Sequence, residues 1–190
     1  MKKKHHYFFA VKLPVEAKTY IKEQVLKHKN QFPFRRWVHH QDYHITLAFL
    51  GVAEAALLET AADQVSSVVQ KNNRFTLTVS KAGVFGRPRE PRVFWLSVNQ
   101  SGQLQNIRDS VYQICLETGF KVDKKPFRPH ITLARKWDAS FPFTKELLNR
   151  FEVPPYTFPV EEIVLYETHL DQTPKYKEYA VFPLAGSGGN

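Results

Sequence analysis

Two kinds of apolar pattern alternate along the chain. Tyr7–Leu13, His44–Leu50, Phe75–Val79, Val93–Val98, Ile131–Leu133, Glu161–Tyr166 and Tyr179–Leu184 are short runs rich in β-branched and aromatic residues, and they read as strands. Between them, Val15–Lys29 carries Ala17, Ile21, Val25 and Leu26 near helical spacing. Glu54–Gln70 carries Leu57, Leu58, Ala61, Ala62, Val65 and Val69 on one side, and Ser101–Gly119 carries Leu104, Ile107, Val111 and Ile114. Boundary residues fit these limits. Pro14 ends the first strand and can open the helix after it, Gly51 stops the second strand, and Gly119 closes a helix. Thr144 caps a short helix over Thr144–Phe151, with Glu146 near its positive end, and Phe34–Val38 is a connector or short strand.

The order of elements repeats. Phe8 corresponds to Phe94 and His44 to His130 at one offset of 86 positions. The pattern predicts an α+β fold of two pseudo-symmetric lobes, built from a duplicated strand–helix–strand–helix–strand unit with antiparallel-rich sheets around a central cleft. The repeats cover about residues 7–79 and 93–184 of one bilobal domain over 1–190, with elements free to exchange between lobes. Residues 80–92, rich in Gly, Pro and Arg, read as the crossover.

The duplicated element with chemistry is His44-Ile45-Thr46-Leu47-Ala48, written again as His130-Ile131-Thr132-Leu133-Ala134. A strand sends alternate side chains to opposite faces, so Ile45, Leu47, Ile131 and Leu133 enter a core while His44, Thr46, His130 and Thr132 share the other face. Packing requires only the apolar half of that pattern. Two imidazoles facing one cleft form an acid–base pair, because histidine titrates nearest neutrality. The threonine hydroxyls add hydrogen-bond donors without charge. Cleavage of a phosphodiester needs this set together with stabilisation of the non-bridging oxygens. Arg135 is the candidate phosphate clamp, although regular alternation points it away from the cleft unless the strand ends or bulges.

Composition narrows the partner. The chain is globular, with 43% hydrophobic and 14% aromatic residues, and its net charge of +9 favours a polyanion, nucleic acid ahead of an anionic membrane surface. No run has signal-peptide or transmembrane character, and the single cysteine, Cys115, reads as a buried small hydrophobe; a cytoplasmic monomer is expected. His39, His40 and His44 with Asp42 match no zinc spacing, and no cofactor or resident metal is expected. His5 and His6 read as solvated, His169 as a turn residue, and Gly186-Ser187-Gly188-Gly189 as a flexible end. Arg87, Arg89 and Arg92 form either an RNA-backbone contact or a solvated crossover. Phe9, Phe49 and Phe127 are candidates to stack a terminal base, with Phe9 and Phe49 expected in the core.

At these residues the chain resembles the 2H phosphoesterase superfamily, in its bacterial and archaeal RNA 2′,3′-cyclic phosphodiesterase branch, historically called 2′-5′ RNA ligases. The resemblance runs through Tyr7-Phe8-Phe9-Ala10-Val11, Arg36-Trp37-Val38, His44 to Gly51, Phe127 to Arg135, Leu165 to Leu170, and Phe182-Pro183-Leu184. It implies metal-independent hydrolysis of RNA 2′,3′-cyclic phosphate ends to 2′-phosphates. His44 and His130 would be catalytic, and Thr46, Thr132, Arg135 and Phe127 would bind substrate. Action on a small cyclic nucleotide, reversible 2′-5′ RNA ligation and a non-catalytic RNA-binding module remain the alternatives.

Overall fold

The computed structural model describes residues 5–186, so the expected flexible tail beyond Gly186 lies outside the described residues. Among these, the strands are β1 (His6–Lys12), β2 (Phe34–Trp37), β3 (His44–Val52), β4 (Phe75–Arg87), β5 (Glu90–Val98), β6 (His130–Trp137), β7 (Tyr156–Val160), β8 (Glu162–Thr168) and β9 (Tyr176–Pro183). The helices are α1 (Val15–His28), α2 (Ala55–Val69), α3 (Gly102–Thr118) and α4 (Lys145–Asn149). The fold is α+β. Its strands join one antiparallel sheet in the order β7-β4-β5-β6-β3-β1-β8-β9, with β2 beside β6.

That order interleaves the repeats. β1 and β3 of the first repeat pair with β8 and β9 of the second, while β5 and β6 pair with β4 and β7. The two halves of the sheet meet where β3 runs beside β6, with Ile45 opposite Ile131. Each half must bury an apolar face, and the helices supply the cover. Phe9, Val11, Ile45, Leu47, Ile131 and Leu133 pack with Ile21 of α1, Leu58 and Val65 of α2 and Leu104, Ile107 and Val111 of α3. On the opposite face a smaller cluster of Phe8, Ala10, Val164 and Tyr166 forms an apolar floor.

The helix ends follow their sequence signals. The Ser101 side chain accepts from the Leu104 amide, Thr144 from the Leu147 amide, and Gly119 ends α3 with φ 100°. Other expectations are corrected. Leu26 and Leu57 are 60% and 39% exposed, because each stands at the rim of its helix's apolar stripe. Residues 80–92 are no crossover; they continue β4 and enter β5 through a tight hairpin, with Arg87 opposite Glu90. Glycine permits this course: a Cβ at Gly83 would lie 2.2 Å from the Trp95 ring, and Gly86 takes φ 115°. Gly51 does not stop its strand either. With φ 70° it pairs with Tyr7 after an irregularity that skips Leu50, and β3 continues to Val52.

Candidate active site

Both motif strands carry a bulge at the same place. Phe9 lies opposite Ala48 and Ala10 opposite Thr46, leaving Leu47 extra in β3. Phe94 lies opposite Ala134 and Trp95 opposite Thr132, leaving Leu133 extra in β6. A bulge residue shifts side-chain parity by one. Leu47 and Ala48 are therefore both buried, as are Leu133 and Ala134, and the next residue of each strand, Phe49 or Arg135, turns outward beside the motif face. This settles the parity of Arg135, whose charge bears on both His44 and His130. It also corrects Phe49, which is 50% exposed rather than in the core, whereas Phe9 is fully buried.

The two histidines are held alike. His44 Nδ1–H donates to the Asp42 carbonyl at 2.7 Å and His130 Nδ1–H to the Arg128 carbonyl at 2.6 Å, each to the residue two positions earlier. A carbonyl only accepts, so Nδ1 carries the proton and Nε2 is left unprotonated in both rings. His44 Nε2 accepts from the Thr46 hydroxyl at 3.0 Å. With Ile45 opposite Ile131, antiparallel register sets His44 alongside Thr132 and Thr46 alongside His130.

The walls set the protonation. His44 packs against Phe8 at 4.8 Å and Tyr176 at 5.2 Å, and this burial, aided by the positive charges of Lys18 and Arg135, pushes its pKa down to about 4. Burial against Phe85 at 5.0 Å, with Arg135 nearby, also lowers that of His130. Both imidazoles are thus neutral, with the lone pair on Nε2. One consequence is measurable. Folding holds His44 below its ordinary value of 6.5, so the unfolded chain takes up the proton first as pH falls. Stability from this group is complete above pH 6.5 and is lost towards pH 4. Urea unfolding of the wild type should fall by about 2 kcal/mol across that window, allowing for the ring's cleft-facing edge, and His44→Gln should flatten the slope. Equal slopes would contradict a neutral, buried His44.

Sequence reasoning missed the supports. Asp42, buried, accepts the Lys175 amide through both carboxylate oxygens at 3.0 Å and the Tyr176 amide at 3.1 Å, so it ties β9 to the loop that positions His44. The shared position of Asp42 and Arg128, two residues before each histidine, was the available signal. Beside Thr46 and His130 opens a pocket of about 610 Å³ lined by Phe49, Phe85, Tyr112 and Phe127. Arg108 of α3 stacks there over Tyr112 at 4.2 Å and near Phe127 at 5.3 Å. On the other side, Arg36, Arg92, Arg135 and Lys136 line a basic groove. His39 and His40 stack on each other in the turn before His44 and form no ligand group with it among the described residues. Cys115 is buried, its thiol pushed up to about 12 by burial, and so is chemically quiet.

Known proteins are similar to this chain in sequence and fold. The family model of the 2′-5′ RNA ligase superfamily matches residues 17–172. An RNA 2′,3′-cyclic phosphodiesterase of Geobacillus stearothermophilus is 43% identical over 185 residues, which are 97% of this chain and 59% of that protein. One from Bacillus subtilis (strain 168) is 35% identical over 180 residues, covering 95% of this chain and 97% of that protein. The chain thus spans somewhat over half of the first relative and nearly all of the second. Crystalline E. coli LigT complexed with 3′-AMP superposes with a TM-score of 0.78 at 26% identity, over 96% of this chain and 99% of that one. With the matched stretch spanning most of its length, the chain belongs to the 2′-5′ RNA ligase superfamily, the 2H phosphoesterases.

Proposed function

We propose that the chain is a metal-independent RNA 2′,3′-cyclic 3′-phosphodiesterase, which opens the cyclic phosphate at an RNA end to a 2′-phosphate. The observation that carries this reading is the meeting of the two motif strands at Ile45 and Ile131, which aligns two Nε2 atoms of fixed tautomer on one face. His130 takes the proton of the attacking water as the P–O bond forms, and His44 gives a proton to O3′ as the P–O3′ bond breaks. Thr46, Thr132 and Arg135 hold the non-bridging oxygens. The anionic substrate sets the protonation the reaction needs. Its negative charge beside His44 favours the imidazolium, and an acid otherwise pushed down to about 4 gives up its proton readily.

Phe127, with Phe49 and Tyr112, takes the terminal base, and Arg36, Arg92 and Lys136 follow the RNA backbone away from the cleft. This basic extension favours RNA over a small cyclic nucleotide. The chain acts as one bilobal unit and as a monomer. Among the described residues no helix is long and apolar enough to cross a membrane. The cytoplasm is the compartment assigned, where the lone buried Cys115 stays reduced.

The test is incubation with an RNA ending in a 2′,3′-cyclic phosphate under excess EDTA, with the products separated as 2′- or 3′-phosphate. Wild type should give the 2′-phosphate and the His44→Ala/His130→Ala double variant none. Binding without turnover would leave an RNA-binding module, and turnover confined to cyclic mononucleotides would remove RNA as the substrate.

A further inference from the structure

At the other end of β1 from the lysine that pairs with His44, three ligand-type side chains converge. His5 precedes β1, Glu167 lies near the end of β8 opposite Tyr7, and His169 follows β8. One ligand atom from each lies within 4.8 Å of the other two. Along β1, Lys12 opposite His44 and Tyr7 opposite Glu167 are five residues apart, roughly 17 Å at strand rise. Phe8, Tyr166 and Tyr176, which pack around His44, point to the sheet face opposite Tyr7 and Glu167, so the cluster is separate from the cleft. His5, expected to be solvated, is half-buried here.

We propose that His5, Glu167 and His169 form a binding site for a zinc-class divalent metal. Each ligand is oriented as such a site requires. His5 Nδ1–H donates to the Thr168 carbonyl at 2.9 Å, which fixes the tautomer and leaves a lone pair on Nε2. That Nε2 stands 3.8 Å from Glu167 Oε1. His169 Nε2 stands 3.4 Å from Glu167 Oε2, yet it is buried and aligned for no hydrogen bond. Tyr7 OH donates to Glu167 Oε1 at 3.2 Å and holds the carboxylate in place. In a tetrahedral zinc site with bonds of about 2.1 Å, neighbouring ligand atoms lie about 3.4 Å apart. The two separations are to different oxygens of Glu167; with one ligand atom from each residue the set spans at most 4.8 Å, so it must close by about an ångström around an ion. The imidazole rings, with centroids 4.3 Å apart, must pivot for both to reach one ion. Two histidines and one carboxylate leave a fourth position for water.

An ion here would tie the start of β1 to the β8–β9 hairpin. His169 opens that hairpin loop, its amide donating to the Lys175 carbonyl at 2.6 Å. The Lys175 and Tyr176 amides are the pair gripped by Asp42 behind His44. The ion is thus a brace that takes no part in the reaction.

The experiment titrates Zn2+ calorimetrically into the full chain carrying His44→Ala and His130→Ala, which removes the cleft imidazoles as competing ligands. Co2+ is then added as a spectroscopic probe. The expected result is one ion per chain, visible Co2+ bands of four- or five-coordinate form, and a rise in Tm with Zn2+. Glu167→Gln should weaken binding at least about 100-fold, because it removes the anionic ligand. His5→Ala, at the margin of the fold, should do the same without disturbing the circular dichroism. His39→Ala/His40→Ala should leave binding unchanged. Binding insensitive to Glu167→Gln and His5→Ala, or no binding at micromolar metal, would overturn the proposal.

Discussion

Replacing either His44 or His130 by alanine is expected to lower kcat/KM for a cyclic phosphate end by about 10²–10⁴-fold, the usual contribution of one general acid or base. The loss should fall on kcat. The pocket formed by Phe49, Tyr112 and Phe127 and the groove formed by Arg36, Arg92 and Lys136 remain intact, so ground-state binding persists. The double variant should be little worse than the single ones, because acid and base serve one concerted displacement. The two roles separate on a substrate whose bridging 3′-oxygen is replaced by sulfur. A thiolate leaves without a proton, so the variant that lacks the acid recovers most of its rate and the variant that lacks the base does not. Recovery by His44→Ala fits the assignment given above. Recovery by His130→Ala alone reverses it, a real alternative in a site where both Nδ1 atoms donate to the carbonyl two residues earlier.

That symmetry shows what the sequence could reveal. His-x-Thr repeated at one offset exposes the candidate site face, because two polar residues on a strand whose other side is apolar have no packing reason to recur. Helix ends are legible for a similarly local reason: Ser101, Thr144 and Gly119 act on their own backbone. The bulges at Leu47 and Leu133 are not legible. They arise where each motif strand is paired with β1 or β5, and nothing in the five residues records it. Strict alternation therefore turned Arg135 away and allowed Phe49 into the core. The β4–β5 hairpin was hidden for the opposite reason. Its Gly, Pro and Arg content resembles a linker, whereas Gly83 is required by the Trp95 ring, a contact twelve residues distant in sequence. Asp42 and Arg108 act across loops and helices that a linear pattern does not bring together.

Asp42→Ala is expected to produce the largest effect of any change outside the reacting groups. The side chain is 5% exposed and receives two backbone amides, those of Lys175 and Tyr176. Removing the carboxylate leaves both N–H groups without an acceptor in a site with little access to water. At about 1–3 kcal/mol for each abandoned donor, the loss is about 3 kcal/mol. For a chain of this length that lowers Tm by about 6–12 °C. Asp42→Asn retains one acceptor oxygen and should lose roughly half as much. The catalytic effect follows a separate route. The Asp42 carbonyl belongs to the backbone and survives the substitution, so His44 keeps its tautomer. What moves is Tyr176, whose ring packs 5.2 Å from His44 and helps keep it dry. Water entering that contact relaxes the burial that pushes His44 down to about 4. In Asp42→Ala the apparent His44 titration, followed by NMR of the imidazole in the empty protein, should therefore rise towards its ordinary value. Activity should fall by about tenfold, as expected for a displaced positioning contact. A destabilised variant whose His44 titration does not move would make Asp42 a purely structural clasp, with no part in tuning the acid.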